Sequence, residues 1–207
     1  MSIVFYHAPM SSATPVAWAF DELGVPHERV EMSFADGDTR APKFLEINPN
    51  GKVPTLVVDG TPLFEALAIM TWLGDTYGVG RGLWPPADSP ARLVAASWST
   101  WAYVSLGGAL TRLAYATSPR LDASVHSEPQ AKLAREELDK LLAALDGKLS
   151  GSAYLLSDSF SLADLIVAGV VWYGTLVGQP VAGYANVARW LAACLERPAI
   201  KPIVQPA

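Results

Sequence analysis

The chain has 207 residues, 51% of them hydrophobic and 17% charged, with a formal net charge of -5. That length suits one full core or two smaller ones, and the apolar content excludes disorder. An acidic balance with no run of lysines and arginines excludes a nucleic-acid partner.

Residues 3–6 form a short apolar strand with β-branched and aromatic members. A helix follows over 13–23, with Val16, Ala19, Phe20 and Leu23 at helical spacing and Gly24 ending it. Residues 27–32 read as a second strand, and 40–47 as a short helix stopped by Asn48-Pro49. Residues 55–58 are a third strand, Asp59-Gly60 a hairpin turn and 62–64 the returning strand, ahead of a helix over 65–77. The order βαβ then αββα gives a mixed sheet with helices on its faces. A glycine- and proline-rich linker over 79–90 separates this α/β domain, 1–78, from an all-α bundle, 91–207, with helices near 91–117, 126–149, 161–177 and 184–196. Within the bundle, Ser161-Leu162-Ala163-Asp164 fits a capping box with Asp in place of Glu, and Phe160 with Leu165 fits the hydrophobic staple.

The uncharged stretch 93–111 is broken by serines and glycines. Stretch 165–188 loses its apolar character at Gly178-Gln179-Pro180, short of the roughly 20 residues of a membrane span. No membrane partner is expected. The start, Met1 to Tyr6, lacks the basic and apolar regions of a secretory signal, so a cytoplasmic location is expected. One cysteine, Cys194, allows no intrachain disulfide and sits among helical apolar neighbours as a buried thiol. The three histidines, His7, His27 and His126, lack metal-ligand spacing, so no metal is expected.

A proline at 54 stands where the third strand should begin. If the Val53-Pro54 bond is cis, the N–H and C=O of Val53 turn outward and can pair with an extended peptide. Glu65 and Ala66 then open a helix whose free N–H groups suit a carboxylate. Together these features point to a site for a small, extended, anionic peptide.

Tyr6-His7-Ala8-Pro9-Met10-Ser11-Ser12, Glu22-Leu23-Gly24-Val25-Pro26, Asn48 to Leu56, Phe64-Glu65 and Phe160 to Asp164 stand in the order and spacing of one known family. On these motifs the chain resembles a cytosolic glutathione transferase of the serine type over essentially its whole length. The resemblance implies a thioredoxin-like N-terminal domain, an all-helical C-terminal domain, glutathione as co-substrate and a homodimer. It also implies conjugation of the glutathione thiolate to a small hydrophobic electrophile, in detoxification. Ser11 lies where serine-type members carry the activating hydroxyl and Ser12 where cysteine-bearing members carry their thiol. Ser11 ranks first, Ser12 second and Tyr6 last, with capping of the first helix as the structural alternative for both serines.

By the same resemblance Lys52 meets the glycyl carboxylate, Val53 before a cis Pro54 holds the cysteinyl backbone, and Glu65 with Ala66 meets the γ-glutamyl end. Ala66 departs from the family's serine and removes a hydroxyl donor; Pro15 departs from a frequent arginine, and the isomerase subgroup's Ser-Ser-Cys is absent. The electrophile is expected in a cleft between the domains, facing helix 91–117, where Trp98, Trp101, Tyr103, Ser105 and Tyr115 are either lining or core. Two further readings stand beside conjugation: glutathione-dependent reduction of disulfides or hydroperoxides on the same site, and a non-catalytic binding protein that keeps the fold.

Overall fold

The computed structural model describes residues 1–204. They group into two compact units, Met1–Ala87 together with the described residues from Arg197, and Asp88–Glu196. The sequence reading places everything from 91 onward in the helical part. The return of the chain at Arg197 has a physical cause: its guanidinium holds both carboxylate oxygens of Glu22, which also accepts from Trp18 Nε1 at 3.3 Å.

In the first unit, β1 (Ile3–His7), β2 (Glu28–Glu31), β3 (Thr55–Val58) and β4 (Thr61–Phe64) form one sheet in the order β2-β1-β3-β4. β1 runs parallel to β2 and antiparallel to β3, and β4 is antiparallel to β3. α1 (Thr14–Leu23) and α3 (Ala66–Leu73) pack against each other, and the Phe20 ring meets Phe5 at 5.3 Å. Phe5 pairs with Leu56, and both are fully buried on that face. The alternating residue Tyr6 points to the other face, where its ring meets Phe44 of α2 (Pro42–Ile47) at 5.5 Å. Gly24, at φ 59°, ends α1 in the left-handed turn that glycine adopts most readily.

Two elements of this unit depart from expectation. Glu65, expected as the first helical residue, lies outside α3 at φ 71°, and a π turn, Gly74–Gly78, follows Leu73. The segment read as linker is anchored: Trp84 is buried, donates Nε1 to Asp75 at 2.9 Å, and lies 2.8 Å from where a Cβ on Gly74 would stand. Residues up to Ala87 therefore belong to the first compact unit.

His7 and His27 complete an aromatic cluster, His7 stacked on Phe5 at 5.2 Å and His27 on Phe20 at 3.9 Å. His27 places Nδ1 2.7 Å from Val25 O and accepts from Arg29 Nε at 2.9 Å, so its neutral tautomer carries the proton on Nδ1. Burial, together with the charge of Arg29, holds both rings below the ordinary histidine value. The unfolded chain therefore takes up protons at a higher pH than the native one. The stability these rings contribute is complete above pH 6.5, the ordinary value, and is lost as pH falls through their native values. Melting curves from pH 8 to 5 should show this loss, and the double variant His7→Gln, His27→Gln should have a flatter profile. Equal slopes for the two proteins would refute the assignment.

The second unit is helical: α4 (Pro90–Trp101), α5 (Gly107–Thr117), α6 (Glu128–Lys148), α7 (Leu162–Leu176) and α8 (Ala185–Leu195). α9 (Lys201–Val204) follows in the segment returned to the first unit. The helix expected over 91–117 is interrupted by a π turn, Ala102–Leu106. Its wide loop brings the Ala102 carbonyl to 3.2 Å from where a Cβ on Gly107 would stand, a tight approach that favours glycine. Asp146 of α6 caps α8 from a distance, accepting from the N–H groups of Asn186 at 2.8 Å and Val187 at 3.1 Å.

The most apolar helix, α7, starts at the expected capping box, with Ser161 N donating to Asp164 Oδ2 at 2.9 Å. Ser161 Oγ donates to the same oxygen, while Oδ1 accepts from Leu155 N at 2.7 Å and Trp190 Nε1 at 2.9 Å. Burial pushes this carboxyl above the ordinary aspartate value, and the four donors pull the other way. Among the described residues no helix is long and apolar enough to cross a membrane.

Candidate functional site

The sheet's register gathers the candidate residues at one end of the first unit. Tyr6 pairs with Thr55 and Thr55 with Phe64, so the chain beyond β1, the residues before β3 and the residue after β4 emerge together. The loop after β1 is braced by Ser11, whose Oγ donates to Ala8 O at 2.6 Å and accepts from Ala13 N at 3.1 Å. Ser12 is engaged differently: its exposed side chain donates Oγ to Val53 O at 2.8 Å. The structure therefore brings Ser12 onto Val53 and ties Ser11 into its own turn.

The Val53-Pro54 peptide is cis. The Val53 carbonyl accepts from Ser12, and among the described residues its N–H has no acceptor. The loop ahead of it is fixed by the buried side chain of Asn48, which the sequence marks only as part of a helix stop. Its Nδ2 donates to Lys52 O at 2.9 Å and to Thr55 Oγ1 at 2.8 Å, while Oδ1 accepts from Asn50 N at 3.0 Å. Thr55 Oγ1 in turn donates to Lys52 O at 2.9 Å, closing the network. Gly51 is obligatory here: at φ 59° it is left-handed, and a Cβ would stand 2.7 Å from Thr39 O.

Two cations flank this loop. Lys52 is exposed, and Arg40 Nη1 lies 3.0 Å from the Gly51 Cβ position. Arg40 escaped the sequence reading because only the fold brings the turn Asp38–Arg40 onto Gly51.

Glu65 follows Phe64, and the β3–β4 register sets it across from Pro54. It is exposed and left-handed, with φ 71° and ψ 120°, a conformation that is strained for a residue with a side chain. No side chain caps α3, whose first internal bond runs from Ile69 N to Glu65 O. The N–H groups of the first turn, beginning at the buried Ala66, therefore face outward from a positive helix end. Tyr6, the last-ranked candidate, lies against Phe44.

Of the aromatic residues named on helix 91–117, Trp98 and Trp101 are half-buried and meet edge to face at 4.9 Å, and Tyr115 is exposed. They lie in the second unit and belong to the description of that unit alone.

This end of the sheet thus combines an open strand-like edge at Val53, a hydroxyl against it, cations on one side, and a carboxylate with a helix N-terminus on the other. That combination suits a short extended peptide bearing charge of both signs. Residues 10–76 match the model described as "Glutathione S-transferase, N-terminal domain", and residues 109–198 match its C-terminal counterpart. The chain is 31% identical over 192 residues to the glutathione S-transferase GstB of Escherichia coli (strain K12), covering 91% of this chain and 90% of that protein.

Among solved structures, the glutathione transferase URE2P6 of Phanerochaete chrysosporium, in complex with oxidized glutathione, superposes with a TM-score of 0.87 at 21% identity, covering 99% of this chain and 95% of that one. A sphingomonad glutathione S-transferase complexed with glutathione superposes with a TM-score of 0.82 at 26% identity, covering 98% and 97%. With both domain models matched in order and a close relative spanning most of its length, the chain belongs to the glutathione S-transferase family.

Proposed function

We propose that the protein binds glutathione at this end of its first unit and adds the thiolate to a small hydrophobic electrophile. The reading rests on one observation above the rest: the Ser12 hydroxyl donates to the carbonyl of Val53, the residue whose backbone would pair with the cysteinyl residue. A sulfur carried by a residue paired there comes within reach of the same hydroxyl. Lys52 and Arg40 suit the glycyl carboxylate. Glu65 suits the γ-glutamyl ammonium, and the α3 N-terminus suits its carboxylate.

The chemistry asks little more of the protein. A free thiol has a pKa of about 8.5, so only a few per cent is thiolate at pH 7. Lowering it by about two units takes about 2.7 kcal/mol of preferential stabilisation, within reach of one or two charge-assisted hydrogen bonds. The thiolate then attacks, a carbon–sulfur bond forms, the leaving group departs with its electron pair, and the thiol proton has already passed to solvent. Although the resemblance ranks Ser11 first, we propose Ser12 for the thiolate: each hydroxyl gives its one proton to a backbone carbonyl, but Ser11 Oγ is held a second time by Ala13 N, whereas the exposed Ser12 can turn its proton from Val53 O to the sulfur.

Retention on immobilised glutathione, followed by assay with 1-chloro-2,4-dinitrobenzene, a hydroperoxide and a mixed disulfide, tests the proposal. Binding with release of chloride is expected. Binding with turnover of only the latter two would move the protein to a reductase role, and no binding at millimolar glutathione would leave an interaction protein. Ala66→Ser supplies the missing hydroxyl at the first turn of α3 and should tighten glutathione about tenfold, the weight of one hydrogen bond to a charged group. An unchanged dissociation constant by calorimetry would mean that another donor already serves that carboxylate.

A further inference from the structure

We infer that Asn48 and Thr55 are positioning residues for the proposed reaction: by gripping the carbonyl of Lys52 they aim the other end of the same peptide plane, the N–H of Val53, at the ligand's cysteinyl carbonyl. The inference rests on the glutathione reading above and adds two buried residues to it. A trans peptide is planar and carries its C=O and N–H on opposite sides. Among the described residues the one cis bond is Val53-Pro54, so the bond from Lys52 to Val53 is trans. Its carbonyl accepts twice, from Asn48 Nδ2 at 2.9 Å and from Thr55 Oγ1 at 2.9 Å. Both donors are buried, at 1% and 0% exposure, so this carbonyl points into the protein. The N–H of Val53 therefore points away from them, and the plane cannot roll without breaking both bonds.

The grip has a single arrangement. Asn48 Oδ1 accepts from Asn50 N and from Asn50 Nδ2, each at 3.0 Å, which commits the amide nitrogen to the opposite side. There one hydrogen goes to Lys52 O and the other to Thr55 Oγ1 at 2.8 Å, so all four hydrogen-bonding positions of the amide are filled. Thr55 is fixed in turn by the sheet, paired with Tyr6 on one side and Phe64 on the other. The direction of the Val53 donor is thus tied to β3 and does not depend on the loop ordering itself around a ligand. A donor set in advance leaves less ordering to be done on binding.

Calorimetry with two ligands separates this role from simple support of the loop. One is glutathione, and the other is its isostere with an E-alkene in place of the Cys-Gly amide, which keeps the shape and lacks the cysteinyl carbonyl. Wild type should bind glutathione about fivefold more tightly than the isostere, the weight of one neutral hydrogen bond. Thr55→Val keeps the β-branched shape and removes one bond to Lys52 O; the advantage should shrink to within about twofold, through weaker glutathione binding with the isostere's affinity unchanged. Asn48→Ala removes the other bond and should shrink it likewise, whereas Thr55→Ser retains the hydroxyl and should retain the advantage. Equal weakening of both ligands in the valine and alanine variants would make the two residues structural only and overturn the inference. An advantage that survives in both variants, or is absent from wild type while glutathione binds, overturns it too and leaves the glutathione reading intact. If wild type binds neither ligand at millimolar concentration, that reading falls and takes the inference with it.

Discussion

Ser12→Ala should raise the pKa of bound glutathione's thiol by about one to two units and lower kcat/KM for conjugation at neutral pH by at least about tenfold. The magnitude follows from removing one hydrogen bond to a charged sulfur, worth about 1.5 to 3 kcal/mol, when one pKa unit corresponds to about 1.36 kcal/mol. Ser11→Ala should behave differently. Its hydroxyl braces the turn between Ala8 and Ala13, so its loss should lower the melting temperature by an amount corresponding to about 1 kcal/mol and leave the thiol pKa in place. Titrating the thiolate absorbance of the bound peptide in both variants separates the roles, independently of turnover. If the pKa rises in Ser11→Ala and not in Ser12→Ala, the assignment reverses to the order that the sequence suggests.

That reversal of order shows where the sequence stops being legible. Alternating and helical periodicities are local properties, and they located all four strands of the sheet and the main helices within a few residues. Val53-Pro54 and the Ser161 capping box were legible for the same reason: each is a short pattern whose chemistry is contained within a few positions. The partner of a hydroxyl is not local. Ser12 meets Val53 across 41 residues of chain, Asn48 reaches Lys52 and Thr55 only once β3 has docked, and Arg40 reaches Gly51 through a turn that no periodicity marks. Glu65 illustrates a third limit. As a helix opener it is an ordinary residue, and only the backbone reveals it at φ 71° outside α3, in the kind of strained conformation that tends to accumulate where a ligand binds. Trp84 misled for a related reason: glycines and prolines surround it, yet Gly74 lacks a Cβ where the indole lies, and the supposed linker is packed.

Asp164→Ala should be the most destabilising single change in the second unit, at about 3 to 5 kcal/mol, or on the order of 10 °C in melting temperature for a chain of this size. The carboxylate has no solvent exposure and gathers four donors: Leu155 N, Trp190 Nε1, and the N–H and hydroxyl of Ser161. Truncation leaves buried donors without acceptors in the loop before α7, at its N-terminus and on α8, so three segments lose their common anchor. Because burial raises this carboxyl's pKa, its contribution to stability is complete below the unfolded value and declines as pH climbs through the native one. Asp164→Asn retains one oxygen for two of the donors but turns an amide N–H₂ toward the other two, and should fall between wild type and alanine. Ser161→Ala removes only the hydroxyl and should cost about 0.5 to 2 kcal/mol. Denaturant unfolding should thus rank the losses Ser161→Ala, Asp164→Asn, Asp164→Ala in rising order, with glutathione retention of the folded protein unchanged throughout. Equal losses in the three variants would refute the four-donor account, and a loss of glutathione binding without a loss of stability would give Asp164 a part in the site itself.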